Sequence, residues 1–182
     1  MARELLQSLV AQADGGEDDY QRMRVHYWLA ESLLALGDRR NVDAHLTRAL
    51  SLVRERGYLY FLRVQAREEP SALVHALAHG IETGVVSAAL VEAGPAIEAP
   101  LLALLGEARG SAGEAIVSLL GEIGGRSSLE ELERLGPARR ALAPAARTAR
   151  RHIAERLTRG ASRGRRTTPG SRAWCSSDRR SS

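Results

Sequence analysis

Two histidines, His75 and His79, stand four residues apart in the stretch SALVHALAHG. On a helix that spacing puts both imidazoles on one face, the arrangement of a helical zinc pair. Position 76 is alanine, so the glutamate base of a metalloprotease is missing, and no third ligand stands out. The sequence therefore predicts two partly exposed histidines, with no metal and no other cofactor. His26 and His45 flank a helical hairpin and are expected to pack beside Tyr27 and Trp28. Cys175 is the only cysteine, which excludes an intramolecular disulfide and a multi-cysteine zinc framework. No nucleophile, base and orienting group fall into a recognisable set, so an enzyme is not expected.

Two further patterns invite a chemical reading. SLLGEIGG, residues 118–125, has the glycine density of a phosphate loop. A P-loop needs a lysine to reach the phosphates, and this chain has no lysine: all 26 of its cationic residues are arginine. Nor does a strand precede it, as a Rossmann turn requires. The glycines read instead as a helix end, with Gly121 easing close packing and Gly124-Gly125 forming the turn. The acidic run Glu130, Glu131, Glu133 reads as a solvated helix face, with Glu130 and Arg134 paired at i, i+4.

The most pointed functional candidates are arginines. The net charge of +4 is unevenly spread: residues 137–182 carry +11 and residues 1–136 carry −7. Arg139, Arg140, Arg147, Arg150, Arg151, Arg156 and Arg159 lie along one basic helix and its continuation. Such a surface can hold phosphates by counterion release. No aromatic residues interleave to stack bases, so sequence-specific readout is not indicated. Non-specific nucleic-acid contact through these arginines is the alternative to a solvated capping face.

Those side chains must be positioned by helices. Aromatics make up 4% of the chain and hydrophobic residues 44%, so the apolar surface is mainly Ala, Leu, Ile and Val, which suits close-packed helices. Helical periodicity predicts a short helix over 3–13 and a second one capped by Asp18 or Asp19. The second buries Val25, Trp28, Leu29, Leu33 and Leu36, and a third places Val42, Leu46, Ala49, Leu50 and Val53 inward. YLYFLRV, residues 58–64, reads as a buried helical turn. From there the cadence changes to segments of about ten residues separated by Gly or Pro. Ile97, Leu101, Leu104 and Leu105 form one stripe; Ile116, Leu119, Leu120 and Ile123 form another. Leu104-Leu105-Gly106-Glu107 recurs as Leu119-Leu120-Gly121-Glu122. A last helix over 141–157 faces Leu142, Ala146, Ala149, Ile153 and Leu157 inward. No stretch is expected to cross a bilayer and no secretory signal is present, so the chain is expected to be cytoplasmic.

Residues 20–57 resemble a tetratricopeptide repeat, through the Leu36-Gly37 turn and the small Ala44 and Ala49 in its second helix, although the usual proline at the repeat end is missing. Residues 84–157 resemble short HEAT-like repeats. In this order the two resemble the helical sensor region of bacterial LuxR/MalT-like or bacterial-transcriptional-activator-domain (SARP-like) regulators, as a fragment. The resemblance implies an all-α solenoid of antiparallel hairpins. It would have a TPR-like unit over 1–66, HEAT-like repeats with an Arg-rich cap over 67–159 and a disordered basic tail over 160–182. It also implies a non-catalytic interaction or sensor module, holding a partner's peptide or helix in a concave groove, in bacterial transcription regulation. The ATPase and DNA-binding activities of such regulators do not carry over. Glu107, Arg109 and the surroundings of Trp28 are the expected contacts. The Arg-, Ser- and Gly-rich tail with its stray Trp and Cys reads as the product of a frameshifted or truncated gene.

Overall fold

The computed structural model describes residues 8, 10–12, 15–16 and 18–164, without the side chains of 136–138 and 160–164. The described part is helical, with no strand among the described residues. Most of the expected first helix and the end of the basic tail lie outside the described residues.

Helix α1 (Asp19–Ala35) begins where Asp18 accepts hydrogen bonds from the backbone N–H groups of Tyr20 and Gln21, a side-chain N-cap. After a turn at Leu36-Gly37-Asp38, α2 (Arg39–Arg56) packs back along it. Arg56 at the end of α2 reaches Asp19 at the start of α1, 2.7 Å away, so the two helices run antiparallel. The expected inward stripe of α2, Val42, Leu46, Ala49, Leu50 and Val53, is buried in full.

The expected stripe of α1 needs correction. Leu29 and Leu33 are buried, but Trp28 is 43% exposed and Leu36 69% exposed. The core face runs instead through Met23, His26, Tyr27 and Ala30. Both stripes satisfy helical spacing. The buried one puts Tyr27 edge-on to Phe61, ring centroids 5.3 Å apart, and stacks Trp28 under the Arg24 guanidinium at 4.4 Å.

All of YLYFLRV after Tyr58, the N-cap, belongs to α3 (Leu59–Glu68), with Phe61 and Leu62 buried and Tyr60 turned outward. Helices α4 (Ser71–Ala78) and α5 (Thr83–Leu90) follow, then a 3-10 segment (Val91–Ile97) and α6 (Glu98–Leu105). The run 83–105 has the length and mean hydropathy, 1.5, of a membrane span, contrary to the sequence expectation. Its backbone is not one continuous helix: it breaks at Gly94, φ 61° and ψ −147°. Within the run, Glu92 pairs with Arg63 and Arg67.

Helices α7 (Gly110–Ile123), α8 (Arg126–Ala138) and α9 (Ala143–Gly164) close the chain. The last runs beyond Arg159, into residues read from sequence as tail. Leu142, Ala146, Ala149 and Ile153 are buried as expected, whereas Leu157 is 38% exposed. Packing advances along the chain. The α1–α2 hairpin meets α4 and α5, α5 meets α7, and α7 and α8 both pack on α9. One continuous apolar cluster joins Met23 to Ile153.

Gly121 sits where α7 crosses α9. A Cβ there would lie 3.0 Å from the Cα and Cβ of Ala149, so this glycine permits the close approach anticipated from sequence.

Candidate functional site

Helix α4 is only eight residues long, and Ala72, Leu73, Ala76 and Leu77 bury one side of it in the core. Its other side, Ser71, Val74, His75 and Ala78, forms one wall of a cleft of about 890 Å³. Pro100 and Leu104 of α6 form the opposite wall, with Glu107, Arg109 and the first turn of α7 at Ser111 and Ala112. Leu34 and Arg39 close it from the first hairpin. The cleft is thus mixed: Val74, Ala78, Pro100 and Leu104 give apolar contact, and His75, His79, Arg39 and Arg109 are set against the single carboxylate Glu107. Two of the expected contact residues, Glu107 and Arg109, line it, whereas Trp28 does not.

Asp43, from α2, reaches the two histidines of α4. Its Oδ1 lies 2.8 Å from His75 Nε2, and its Oδ2 lies 3.1 Å from His79 Nδ1. The imidazoles stack with centroids 4.0 Å apart at 26°. Partial burial pushes the Asp43 carboxyl up, but hydrogen bonds from His75 and the charge and hydrogen bond of His79 outweigh it. The net pKa lies below the usual carboxylate value. The sequence showed the histidine pair but not this third group, which lies 32 residues before His75 on a different helix. His75 is largely enclosed, while His79 and Asp43 keep close to half of their side chains in solvent.

The other histidine pair is also assembled by the fold. His26 and His45 face each other across the first hairpin, Nδ1 to Nδ1 at 3.0 Å, with rings stacked at 5.2 Å. They were expected beside Tyr27 and Trp28 and instead contact one another. One Nδ1 donates to the other, so the contact needs one neutral ring as acceptor.

The arginines divide into two groups. Arg139 leaves α8 and donates to the backbone carbonyls of Leu105, 2.9 Å, and Gly106 at the end of α6, and of Ala108, 2.8 Å, in the turn that follows. Arg156 donates in the same way to Gly121, 2.9 Å, Glu122 and Gly124 at the end of α7. Each guanidinium fork therefore takes the orphan carbonyls of a helix C-terminus, where a cation also opposes the helix dipole. The recurring Leu-Leu-Gly-Glu element is matched by a recurring arginine clasp, which no local pattern revealed. Arg150 pairs with Glu133, and Arg151 and Arg159 both approach Glu155. Arg140 and Arg147 are exposed. In the acidic run, Arg134 pairs with Glu131 at i, i+3 rather than with Glu130.

Glu98 completes the clasp region. Its Oε1 accepts from the Gly125 N–H, 2.9 Å, the Ser128 N–H, 3.1 Å, and the Ser128 hydroxyl, 2.6 Å, capping the start of α8 from α6. Burial raises its pKa, but these hydrogen bonds and the Arg156 charge hold it below the ordinary value.

A smaller hollow of about 550 Å³ lies beside Glu31 and Glu69. Burial and the Glu69 charge push the Glu31 carboxyl up, against a lowering by the Tyr27 hydroxyl. Burial likewise raises Tyr27. Because the native Glu31 pKa lies above its unfolded value, its contribution to stability is fully present below pH 4.5 and is lost as the pH rises through the native pKa. Replacing Glu31 by Gln should therefore raise the melting temperature by a few degrees at neutral pH, with the gain vanishing in acid. Melting curves of both proteins from pH 4 to 8 check this, and an equal gain at every pH would refute it.

Family models, curated proteins and solved structures all return no match to this chain.

Proposed function

We propose that this chain is a non-catalytic helical-repeat interaction module that takes a short acidic segment of a partner protein into the α4–α6–α7 cleft. The cleft carries the reading. Its volume of about 890 Å³ suits a few side chains rather than a whole helix. Val74, Ala78, Pro100 and Leu104 offer apolar contact, and Arg39 and Arg109 offer bidentate partners for carboxylates. Helices that pack in chain order fit a solenoid, in which each short hairpin buries its faces only by stacking on its neighbours. The resemblance to sensor regions of bacterial transcriptional regulators supplies the setting. The clasps support the same view from the other side: Arg139 and Arg156 spend their donors on helix ends, leaving fewer arginines to face a phosphate backbone.

A peptide-display selection on the full chain tests the proposal. Enriched peptides should be acidic and should bind Ser111→Trp, which fills the cleft from an exposed position, about tenfold more weakly or worse. Equal affinity for Ser111→Trp would remove the cleft from the reading. Salt-sensitive binding of duplex DNA at about 50 mM salt, with no peptide enriched, would transfer it to the nucleic-acid alternative.

A further inference from the structure

We propose that Asp43, His75 and His79 form a binding site for a divalent transition metal of the zinc class, at the edge of the cleft that His75 and His79 also line. The three ligand atoms, one carboxylate oxygen and two imidazole nitrogens, all lie within 4.8 Å of one another. Asp43 and His75 come from helices, and His79 is the residue that caps the end of α4. Asp43 projects from α2, which is anchored by Val42 and Leu46; His75 and His79 belong to α4 and its C-cap, held by Ala72, Leu73, Ala76 and Leu77. The donors are therefore set by packed backbone, and a small side-chain adjustment brings them to the roughly 2.0–2.2 Å that zinc requires of nitrogen and oxygen ligands.

The chemistry of the set selects the ion. Two imidazoles and one carboxylate suit zinc and its first-row neighbours, whereas calcium and magnesium prefer all-oxygen shells. Three protein ligands leave a fourth tetrahedral position for water or an incoming donor. The half-exposed His79 and Asp43 side chains provide the entry path. In the metal-free protein, Asp43 satisfies both oxygens only if both histidines present a proton to it. A divalent cation would take the place of those two hydrogens, each imidazole binding as the neutral tautomer whose proton sits on the ring nitrogen away from the ion.

The competing explanation is a plain carboxylate–imidazole clamp between α2 and α4, and metal titration separates the two. Full-length protein stripped with chelator is titrated with zinc sulfate by calorimetry, and in parallel with cobalt(II), read by its visible absorption. One equivalent of zinc should bind far more tightly than magnesium, and cobalt should give the intense bands of a tetrahedral site. His79→Ala and Asp43→Asn change half-exposed side chains and should retain helical circular dichroism. Each should weaken zinc binding at least about 10- to 100-fold, the loss caused by removing even an outer-shell partner of a metal site. His45→Gln and Cys175→Ser should bind as the parent does. Zinc binding no tighter than magnesium, or an affinity unchanged in His79→Ala and Asp43→Asn, would overturn the proposal. So would a loss confined to His45→Gln, which would move the ion to the first hairpin.

Discussion

Gly124→Ala is expected to cost about 2–3 kcal/mol of stability, the upper part of the roughly 1–3 kcal/mol span for forcing an extra methyl into a packed site. The backbone is not the reason, because Gly124 has φ −66° and ψ 155°, an extended conformation open to any residue. The cost is steric. A Cβ would stand 2.5 Å from the Leu120 carbonyl oxygen and the Ser128 Oγ, and 2.6 Å from the Ser128 Cβ. Ser128 is fully buried and donates its hydroxyl to Glu98, so it yields only by breaking the cap of α8. Gly84 in α5 is the matching control, because a Cβ there meets nothing within 4 Å. Gly84→Ala should leave stability unchanged or raise it by about 0.5–1 kcal/mol, since alanine is the better helix former. Urea unfolding of both variants measures the contrast. A loss below about 1 kcal/mol for Gly124→Ala would show that α8 shifts without resistance.

Arg139→Ala should cost about 2 kcal/mol, in the range for hydrogen bonds from a charged donor at a half-buried site. The substitution strips the carbonyls of Leu105, Gly106 and Ala108 of their shared donor and removes the tie between the end of α8 and the α6–α7 turn. Arg139→Lys should recover little of the loss, because the three donors of an ammonium radiate from a single nitrogen, whereas the planar guanidinium reaches these carbonyls from both Nη1 and Nη2. Hydrogen exchange should quicken in the α6–α7 turn and the first turn of α7, beside the cleft. Full rescue by lysine would mean that charge alone matters there. Arg156→Ala should act in the same direction on the end of α7, with a smaller effect because the side chain is more exposed.

Much of the secondary structure was legible from local pattern. The α2 stripe from Val42 to Val53, the Asp18 cap and the helical nature of YLYFLRV all follow from helical spacing and capping chemistry; Gly124-Gly125 does mark the break between α7 and α8, but neither residue is left-handed, and the need for glycine at 124 is steric. These are short-range effects, written within about four residues of the position they govern. The stripe of α1 was misjudged for a related reason. Two apolar faces satisfied the same period, and hydrophobicity favoured Trp28 over His26, but the packed face runs through Met23, His26, Tyr27 and Ala30.

The candidate site was legible only in fragments. His75 and His79 announce a shared face by their spacing, and Glu107 and Arg109 mark a turn. Asp43 belongs to the set only because α2 packs beside α4, and nothing near residue 43 encodes that distance. The arginine list shows the same limit: composition made Arg139 and Arg156 look like phosphate ligands, yet they clasp the ends of α6 and α7. By itself the sequence determined where helices start, stop and present apolar residues, because those choices depend on neighbours along the chain. Only the tertiary structure decided which helix faces meet, and with that which histidines share a carboxylate and which arginines are already engaged. The Asp43–His75 contact and the Arg139–Leu105 and Arg156–Gly121 bonds of the clasps join positions 32 to 35 residues apart.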